Sequence, residues 1–186
     1  IAAPEEVAFF SVAWLFVEVV RFIPDTLGTM ILPKLTECHS DDERSLLALK
    51  SIKLICAATV LLTIFLLLIL HKVIPFVFGA EYSPSIIVAN ILISGSIFGT
   101  IYQVVTRYFT SIGMQKFSII AAFCGLVVGI ATCFWLTSIH NGSGAAIAYL
   151  VGTTVTALIS IYYFRKCSGC SFRDLLTFTK KDFLIS

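Results

Sequence analysis

The chain has 186 residues, of which 58% are hydrophobic and 13% are charged, and its mean hydropathy is +0.98. Soluble domains carry charge on about a quarter of their residues, so this composition excludes a water-soluble enzyme, a nucleic-acid-binding domain and a disordered chain. The formal net charge of +2 is too small to indicate a partner. Three stretches, 54–71, 82–106 and 117–164, contain no Asp, Glu, Lys or Arg. Since a helix crosses a bilayer with about 20 apolar residues, we expect an all-α polytopic transmembrane helix bundle.

Five transmembrane helices are predicted in chain order. The first is the only one with charged residues near its middle. Ser40 and Glu43 have the spacing of a capping box, which predicts an interfacial helix leading into the second span, and Pro75 is expected to end that span. The sequence Asn-Gly-Ser-Gly at 141–144 predicts a turn between the last two spans. The predicted spans are residues 7–32, 54–74, 85–109, 117–139 and 145–164, which make residues 1–166 a transmembrane bundle.

The two ends of the chain carry further signals. The chain begins at Ile1, and residues 1–6 are neither a cationic segment nor a signal-peptide cleavage site. We therefore expect a fragment cut from a longer protein. Residues 167–186 combine apolar side chains with lysines, and they predict a cytoplasmic tail that lies at the surface of anionic lipid.

The distribution of Lys and Arg predicts the orientation in the membrane. Loops rich in these residues stay cytoplasmic. One side of the predicted bundle has only Lys72. The other side has ten basic residues: Lys34, Arg44, Lys50, Lys53, Lys116, Arg165, Lys166, Arg173, Lys180 and Lys181. The fragment is therefore expected to start outside and to end in the cytoplasm.

Three charged residues in the first span are the main candidates for function. Glu18, Arg21 and Asp25 are spaced three and four apart, so they share one helical stripe and Arg21 can pair with either acid. Inserting three ionised residues costs roughly 8 to 10 kcal/mol, and the fourteen Val, Leu, Ile and Phe of this span offset only about 6. The stripe is therefore expected to face the bundle interior or a watery cavity. It lines a substrate path or proton relay, or it is a structural ion pair that fixes helix register.

A second polar face lies on the third span. Its polar and small residues recur every three or four positions: Ser96, Gly99, Thr100, Gln103, Arg107 and Thr110. We take Gln103 and Arg107 as further candidates for a substrate cavity. Arg107 lies about one turn from the cytoplasmic end, so the alternative is a side chain that reaches the lipid headgroups.

Small residues recur at every fourth position in the last two spans. Gly125 and Gly129 form a GxxxG pattern, and Gly144, Ala148 and Gly152 continue the spacing on the next helix. Such faces allow helices to pack closely in lipid, so these five residues are predicted to serve helix packing.

No pattern in the chain predicts a metal, a cofactor or an enzyme. Cys167 and Cys170 form a CxxC pair, which supplies two of the four ligands that structural zinc requires. The three histidines are scattered, and neither a phosphate-binding glycine loop nor a nucleophile elbow occurs. The predicted loops are too short to carry a set of catalytic acids and bases.

The order of these features resembles one family of transporters. A helix begins with Val-Ala-Phe-Phe-Ser-Val-Ala at 7–13 and ends near Leu-Pro at 32–33. A charged linker follows, and a basic re-entry at 50–53 leads the chain back into the membrane. Next come Phe-Gly-Ala-Glu-Tyr at 78–82, Ser-Ile-Gly-Met-Gln-Lys at 111–116 and Gly-Ala-Ala-Ile-Ala at 144–148. The chain resembles the C-terminal half of a polysaccharide-biosynthesis flippase of the O-antigen (Wzx) type, in the superfamily of MATE exporters and the lipid II flippase.

The resemblance implies a fold and a function. The whole protein would have twelve or more helices in two bundles around a central cavity, with five of them in this chain. It would move a polyprenyl-pyrophosphate-linked saccharide across the bacterial cytoplasmic membrane for polysaccharide or lipopolysaccharide biosynthesis, without a cofactor or nucleic acid. In that family, cationic residues of the cavity bind the anionic substrate. The resemblance implies, only loosely, that Arg21 and Arg107 are their counterparts here.

Two other functions remain open at this stage. A cation-coupled MATE-type exporter of small molecules would also need a buried acid such as Glu18 or Asp25. A structural membrane protein would use the same stripe only to select helix partners. The charges alone do not distinguish these alternatives from a flippase.

Overall fold

The computed structural model describes residues 4–168, with side chains at 5–137 and 143–168. It consists of helices, whose bounds are α1 Pro4–Glu37, α2 Asp41–Phe78, α3 Ser85–Ser111 and α4 Lys116–Ser168, with a short 3₁₀ turn at Ala80–Tyr82. Five stretches of these helices are long and apolar enough to cross a membrane. The expected all-α, multi-pass helical architecture is confirmed.

The last helix folds back on itself. A Cβ placed on Gly125 would lie 1.8 Å from Thr156 Oγ1, and one on Gly144 would lie 2.6 Å from the carbonyl oxygen of Leu136. Residues so far apart in sequence meet only if α4 is an antiparallel hairpin. We call Lys116–Thr137 its first arm and Ser143–Ser168 its second arm. The chain reverses between these two arms, next to the turn predicted at 141–144.

The first two helices are longer than the predicted spans. α1 continues past Pro33 to Glu37, and α2 joins the predicted interfacial helix and second span in one helix that passes Pro75 and ends at Phe78. A proline near a helix end removes one hydrogen bond without preventing the remaining turns, so neither proline stops its helix. The capping prediction is confirmed, because Ser40 Oγ accepts the Glu43 N–H at 3.2 Å.

Arg44 joins the end of α1 to the start of α2. Its guanidinium donates to the carbonyl oxygens of Leu35 and Cys38, each at 3.0 Å, and to Asp41 Oδ1 at 2.8 Å. The last carbonyls of a helix have no partner within the helix, and a cationic donor there is favoured by the helix dipole. The sequence analysis used Arg44 only for orientation, whereas the structure gives it a local role in this turn.

Two glycines with positive φ end helices at tight turns. Gly79 has a φ of 98° and follows α2, and Gly113 has a φ of 71° and follows α3. Tyr82, just beyond the first turn, packs against Phe9 and Phe78 with ring centroids 5.8 and 6.1 Å apart. Much of the sequence that resembles the flippase family lies in these turns. That part of the sequence therefore has a structural role.

Two apolar cores lie at opposite ends of the bundle. The first core contains the following buried residues of all four helices: Ala13, Val17, Val20, Leu66, Leu70, Ile74, Val88, Ala89, Leu92, Ile93 and Ala146. The second core contains a corresponding set from the other ends of the helices: Leu35, Ala48, Leu49, Ile52, Ile55, Val104, Val105, Tyr108, Phe109 and Phe164. The residues between these two sets therefore form a separate layer across the middle of the bundle.

The second core marks the end of the bundle where basic residues gather. The end of α1, the start of α2, the end of α3 and the end of α4 all meet there. We call this the basic end; its described basic residues are Lys34, Arg44, Lys50, Lys53, Lys116, Arg165 and Lys166. Lys53, which was placed in the basic re-entry before the second span, lies within α2 and is only 6% exposed. The tail prediction changes too: Cys167 and Ser168 belong to α4, and residues 169–186 lie outside the described residues.

Candidate functional site

A polar layer separates the two cores near the middle of the spans. In α1 it contains Asp25, which lies between the segments that enter the first and second cores. In α3 it contains Ser96, Thr100 and Gln103, and the first two are buried. Polar side chains at mid-span are expensive in lipid and mark sites of function in many membrane proteins.

Glu18 and Arg21 form an ion pair within α1. Arg21 Nη1 lies 3.9 Å from Glu18 Oε1, and 44% of the Arg21 side chain and 54% of the Glu18 side chain are exposed. Arg21 lies at the midpoint of the 34-residue helix, so the pair is near the bilayer centre if α1 spans the membrane. Half-exposed charges at that depth need water or further protein around them. The pair does not lie in the interior of the described bundle.

Asp25 has a different partner from the one the spacing allowed. The Gln103 amide donates a hydrogen bond to Asp25 Oδ1, which links α1 to α3. Within residues 4–168, the ion pairs closer than 4.0 Å do not include Asp25. Its carboxylate is therefore held by a neutral group, while Arg21 pairs with Glu18.

Arg107 lies one turn beyond this hydrogen bond. A Cβ placed on Gly28 would lie 3.3 Å from Arg107 Nε, so the guanidinium stem crosses α1 at its glycine. Both candidate residues of α3, Gln103 and Arg107, thus face the α1 stripe. Of the five candidate residues, the structure thus joins Asp25 to Gln103 and Glu18 to Arg21, and it places Arg107 against α1 at Gly28.

Tyr149 extends the polar layer to α4, and the sequence analysis did not select it. Its ring packs edge-on against Trp14 with centroids 5.4 Å apart, and it lies against Gly95, where a Cβ would be 3.1 Å away. Ser96, Glu18 and Arg21 lie close enough to the Tyr149 hydroxyl to interact with it electrostatically. A lone tyrosine in an apolar span gives no periodic signal, so only the packing identifies it.

Two threonines of α2 were also missed. Thr59 and Thr63 are at most 2% exposed and lie between the parts of α2 that enter the two cores. Thr59 Oγ1 donates to the Ile55 carbonyl at 2.8 Å, whereas Thr63 Oγ1 has no partner among the described residues. Their spacing of four was the available signal, although it is weak within a long apolar run.

The small residues predicted for packing line the contact between the two arms of α4. A Cβ on Gly152 would lie 3.1 Å from the Gly125 carbonyl oxygen, and one on Gly129 would lie 3.7 Å from the Ala148 carbonyl oxygen. Gly144 meets the backbone of Leu136 at the closed end of the hairpin. The backbones approach so closely that side chains larger than these would separate the arms.

Comparison with known proteins does not assign a family. No family model, no curated protein and no solved structure matches the chain. The resemblance to O-antigen flippases therefore stays a prediction from sequence features, and any assignment of function has to be argued from the polar layer itself.

Proposed function

We propose that the chain is part of a flippase that moves a lipid-linked oligosaccharide, such as an O-antigen repeat unit, across the cytoplasmic membrane of a bacterium. The observation that carries this proposal is the polar stripe of α1, in which Glu18 pairs with Arg21, Asp25 is bound by Gln103 of α3, and Arg107 of α3 lies against Gly28. A polar face near mid-span of α1 beside apolar helices suits a substrate with an anionic, sugar-bearing head and a hydrocarbon tail.

Arg21 is the proposed contact for the pyrophosphate of the substrate. A guanidinium binds phosphate oxygens through two parallel hydrogen bonds, and Arg21 is half exposed and held by Glu18 at 3.9 Å. That distance is longer than a tight charge-assisted bond, so a phosphate would compete for the same donors. Glu18 would then promote release by taking the guanidinium back.

The proposed placement in the membrane follows from the basic end. If the positive-inside bias holds, the basic end faces the cytoplasm and the turns at Gly79 and between the α4 arms face the outside. The missing N-terminal half of the protein would form the opposite wall of the cavity and cover the half-exposed face of α1.

Replacement of Arg21 tests the proposed role in the protein at its full natural length. Cells that depend on Arg21→Ala should accumulate polyprenyl-linked saccharide and lose surface polysaccharide. Transport should fall by about tenfold or more, because one hydrogen bond to a charged group is lost. Arg21→Lys should be intermediate, because an ammonium keeps the charge without the paired donors. Lys72→Ala changes an exposed basic residue away from the polar layer and is the control.

Mass spectrometry of lipid-linked saccharides, with surface polymer measured in parallel, gives the readout. Normal export by both Arg21 variants, at wild-type protein levels, would exclude the phosphate role. Normal saccharide levels in cells depleted of the whole protein would exclude the flippase.

A cation-coupled exporter of small molecules is the second candidate, and Asp25 favours it. Its carboxylate is bound by the neutral Gln103 amide and not by an arginine, so it is available to bind a proton or sodium ion. In that case Asp25→Asn should abolish drug efflux driven by an imposed gradient while leaving lipid-linked saccharides unchanged. A purely structural role predicts instead that the protein with apolar residues at Glu18, Arg21 and Asp25 assembles as well as the wild type or is more stable.

A further inference from the structure

A groove runs along the membrane face between α3 and the two arms of α4. It consists of two adjoining cavities of about 480 and 650 Å³ that share Tyr102, Ala122 and Leu126 in their walls. α3 forms one wall, the first arm of α4 forms the other, and the second arm closes the floor of the smaller cavity. On α3 the groove is lined by Gly99, Tyr102 and Thr106.

One end of the groove is polar. Thr106, Thr110, Gln115 and Ser118 line the larger cavity, next to the turn that joins α3 to α4 at the basic end. Ser118 is only 5% exposed, and neither its hydroxyl nor that of Thr106 has a hydrogen-bond partner among the described residues. Buried hydroxyls are nearly always satisfied, so two hydroxyls without partners on facing walls of one cavity indicate a missing polar occupant.

The same end has a positive electrostatic potential. α4 begins there at Lys116, and the N-terminus of a long helix carries a partial positive charge. The Lys116 ammonium is held 5.3 Å from the centre of the Phe117 ring, beside the mouth of the groove. A helix N-terminus, a lysine and unpaired hydroxyls together favour a phosphate group.

The remainder of the groove is apolar and narrow. Small residues leave room for a chain along its length, and a Cβ placed on Gly99 would meet no atom within 4 Å. From Ser118 to Ile130 the first arm rises about 18 Å, at about 1.5 Å per residue. One leaflet of hydrocarbon is about 15 Å deep, half of a core of about 30 Å. The apolar part thus matches the depth of a single leaflet.

We propose that this groove is a binding site for one anionic glycerophospholipid of the leaflet at the basic end. The phosphate lies at Thr106, Ser118 and the start of α4, and one acyl chain occupies the apolar part past Gly99. A polyprenyl chain is much longer than the groove, so a bilayer phospholipid fits this site better than a lipid-linked saccharide. The inference needs the helices to lie in a membrane but does not depend on the proposed transport of saccharide.

The test uses the protein at its full natural length, purified from cells and exchanged into nanodiscs of phosphatidylglycerol. Native mass spectrometry after mild detergent release should detect a retained phosphatidylglycerol. Gly99→Trp fills the open space in the groove and should abolish retention. Ile87→Trp, which is on the same helix but 63% exposed outside the groove, should retain the lipid as the wild type does.

A second variant tests the phosphate end without adding bulk. Thr106→Val with Ser118→Ala removes both unpaired hydroxyls and should lower retention by about tenfold or more, because hydrogen bonds to a charged group are lost. Equal retention in this double variant, or in folded Gly99→Trp, would overturn the proposal. Absence of bound phosphatidylglycerol in the wild type would do the same, as would a polyprenyl phosphate that is extracted with the wild type but not with Gly99→Trp.

Discussion

The close contact between the α4 arms leads to a sharp prediction for Gly125. A Cβ at this position would lie 1.8 Å from Thr156 Oγ1 and 2.8 Å from the Gly152 carbonyl oxygen. The threonine hydroxyl is itself bonded to that carbonyl at 2.9 Å, and the backbone of the second arm cannot rotate away. Gly125→Ala must therefore move the arms apart.

The expected size of the effect follows from comparing two identical substitutions. Gly99→Ala adds the same methyl group in α3, where no atom lies within 4 Å, and should stabilise the protein by roughly 0.5 to 1 kcal/mol because alanine favours helix. Gly125→Ala gains the same stability from helix propensity, but overpacking against the second arm should destabilise it by about 1 to 3 kcal/mol or more. The two variants should differ by about 1 to 3 kcal/mol, with Gly125→Ala the less stable.

Reversible unfolding in mixed micelles, with circular dichroism as the readout, measures this difference. Thr156→Ala removes the nearest clashing atom but leaves the Gly152 carbonyl, so it should rescue Gly125→Ala only in part. If Gly125→Ala is as stable as Gly99→Ala, the arms do not pack as described and the hairpin geometry is wrong.

Two further substitutions test the basic end. Ser40→Ala removes the N-cap of α2 and should destabilise the protein by about 1 kcal/mol in the same unfolding assay, whereas Ser40→Asp should restore the cap; equal stability of Ser40→Ala and the wild type would contradict the cap. Tyr108→Phe removes a buried hydroxyl that lies 3.2 Å from Ser45 Oγ and should lower stability by about 1 kcal/mol or more, while Tyr162→Phe, at an exposed ring, should have no effect. A Tyr108→Phe protein that unfolds like Tyr162→Phe would show that this hydrogen bond is not stabilising.

The membrane-spanning architecture was predictable because it depends on local properties of the chain. Long charge-free runs give the spans, and Ser40 gives the start of α2. The errors occurred where a local signal was overridden by neighbouring residues. Pro33 and Pro75 are helix-breaking by themselves, but each lies in the last turns of a long helix where one lost hydrogen bond is tolerated.

The sequence predicted which candidate residues share one face of a helix, but not which residues of another helix they contact. Spacing placed Glu18, Arg21 and Asp25 on one stripe, but it left the choice of partner open. The Gln103 bond to Asp25 joins residues 78 positions apart, and no periodicity in either helix specifies it. Tyr149 was missed for the same reason, since its position depends on Trp14 and Gly95 in two other helices.

The exposure of the charged pair in α1 bears on the proposed transport function. Glu18 and Arg21 pair within one helix, so that pair does not specify which helix packs against α1. Asp25 and Gln103, in contrast, link α1 to α3 and contribute to helix packing. We therefore propose that the half-exposed pair marks a wet path along α1, because charges at that depth are costly in lipid.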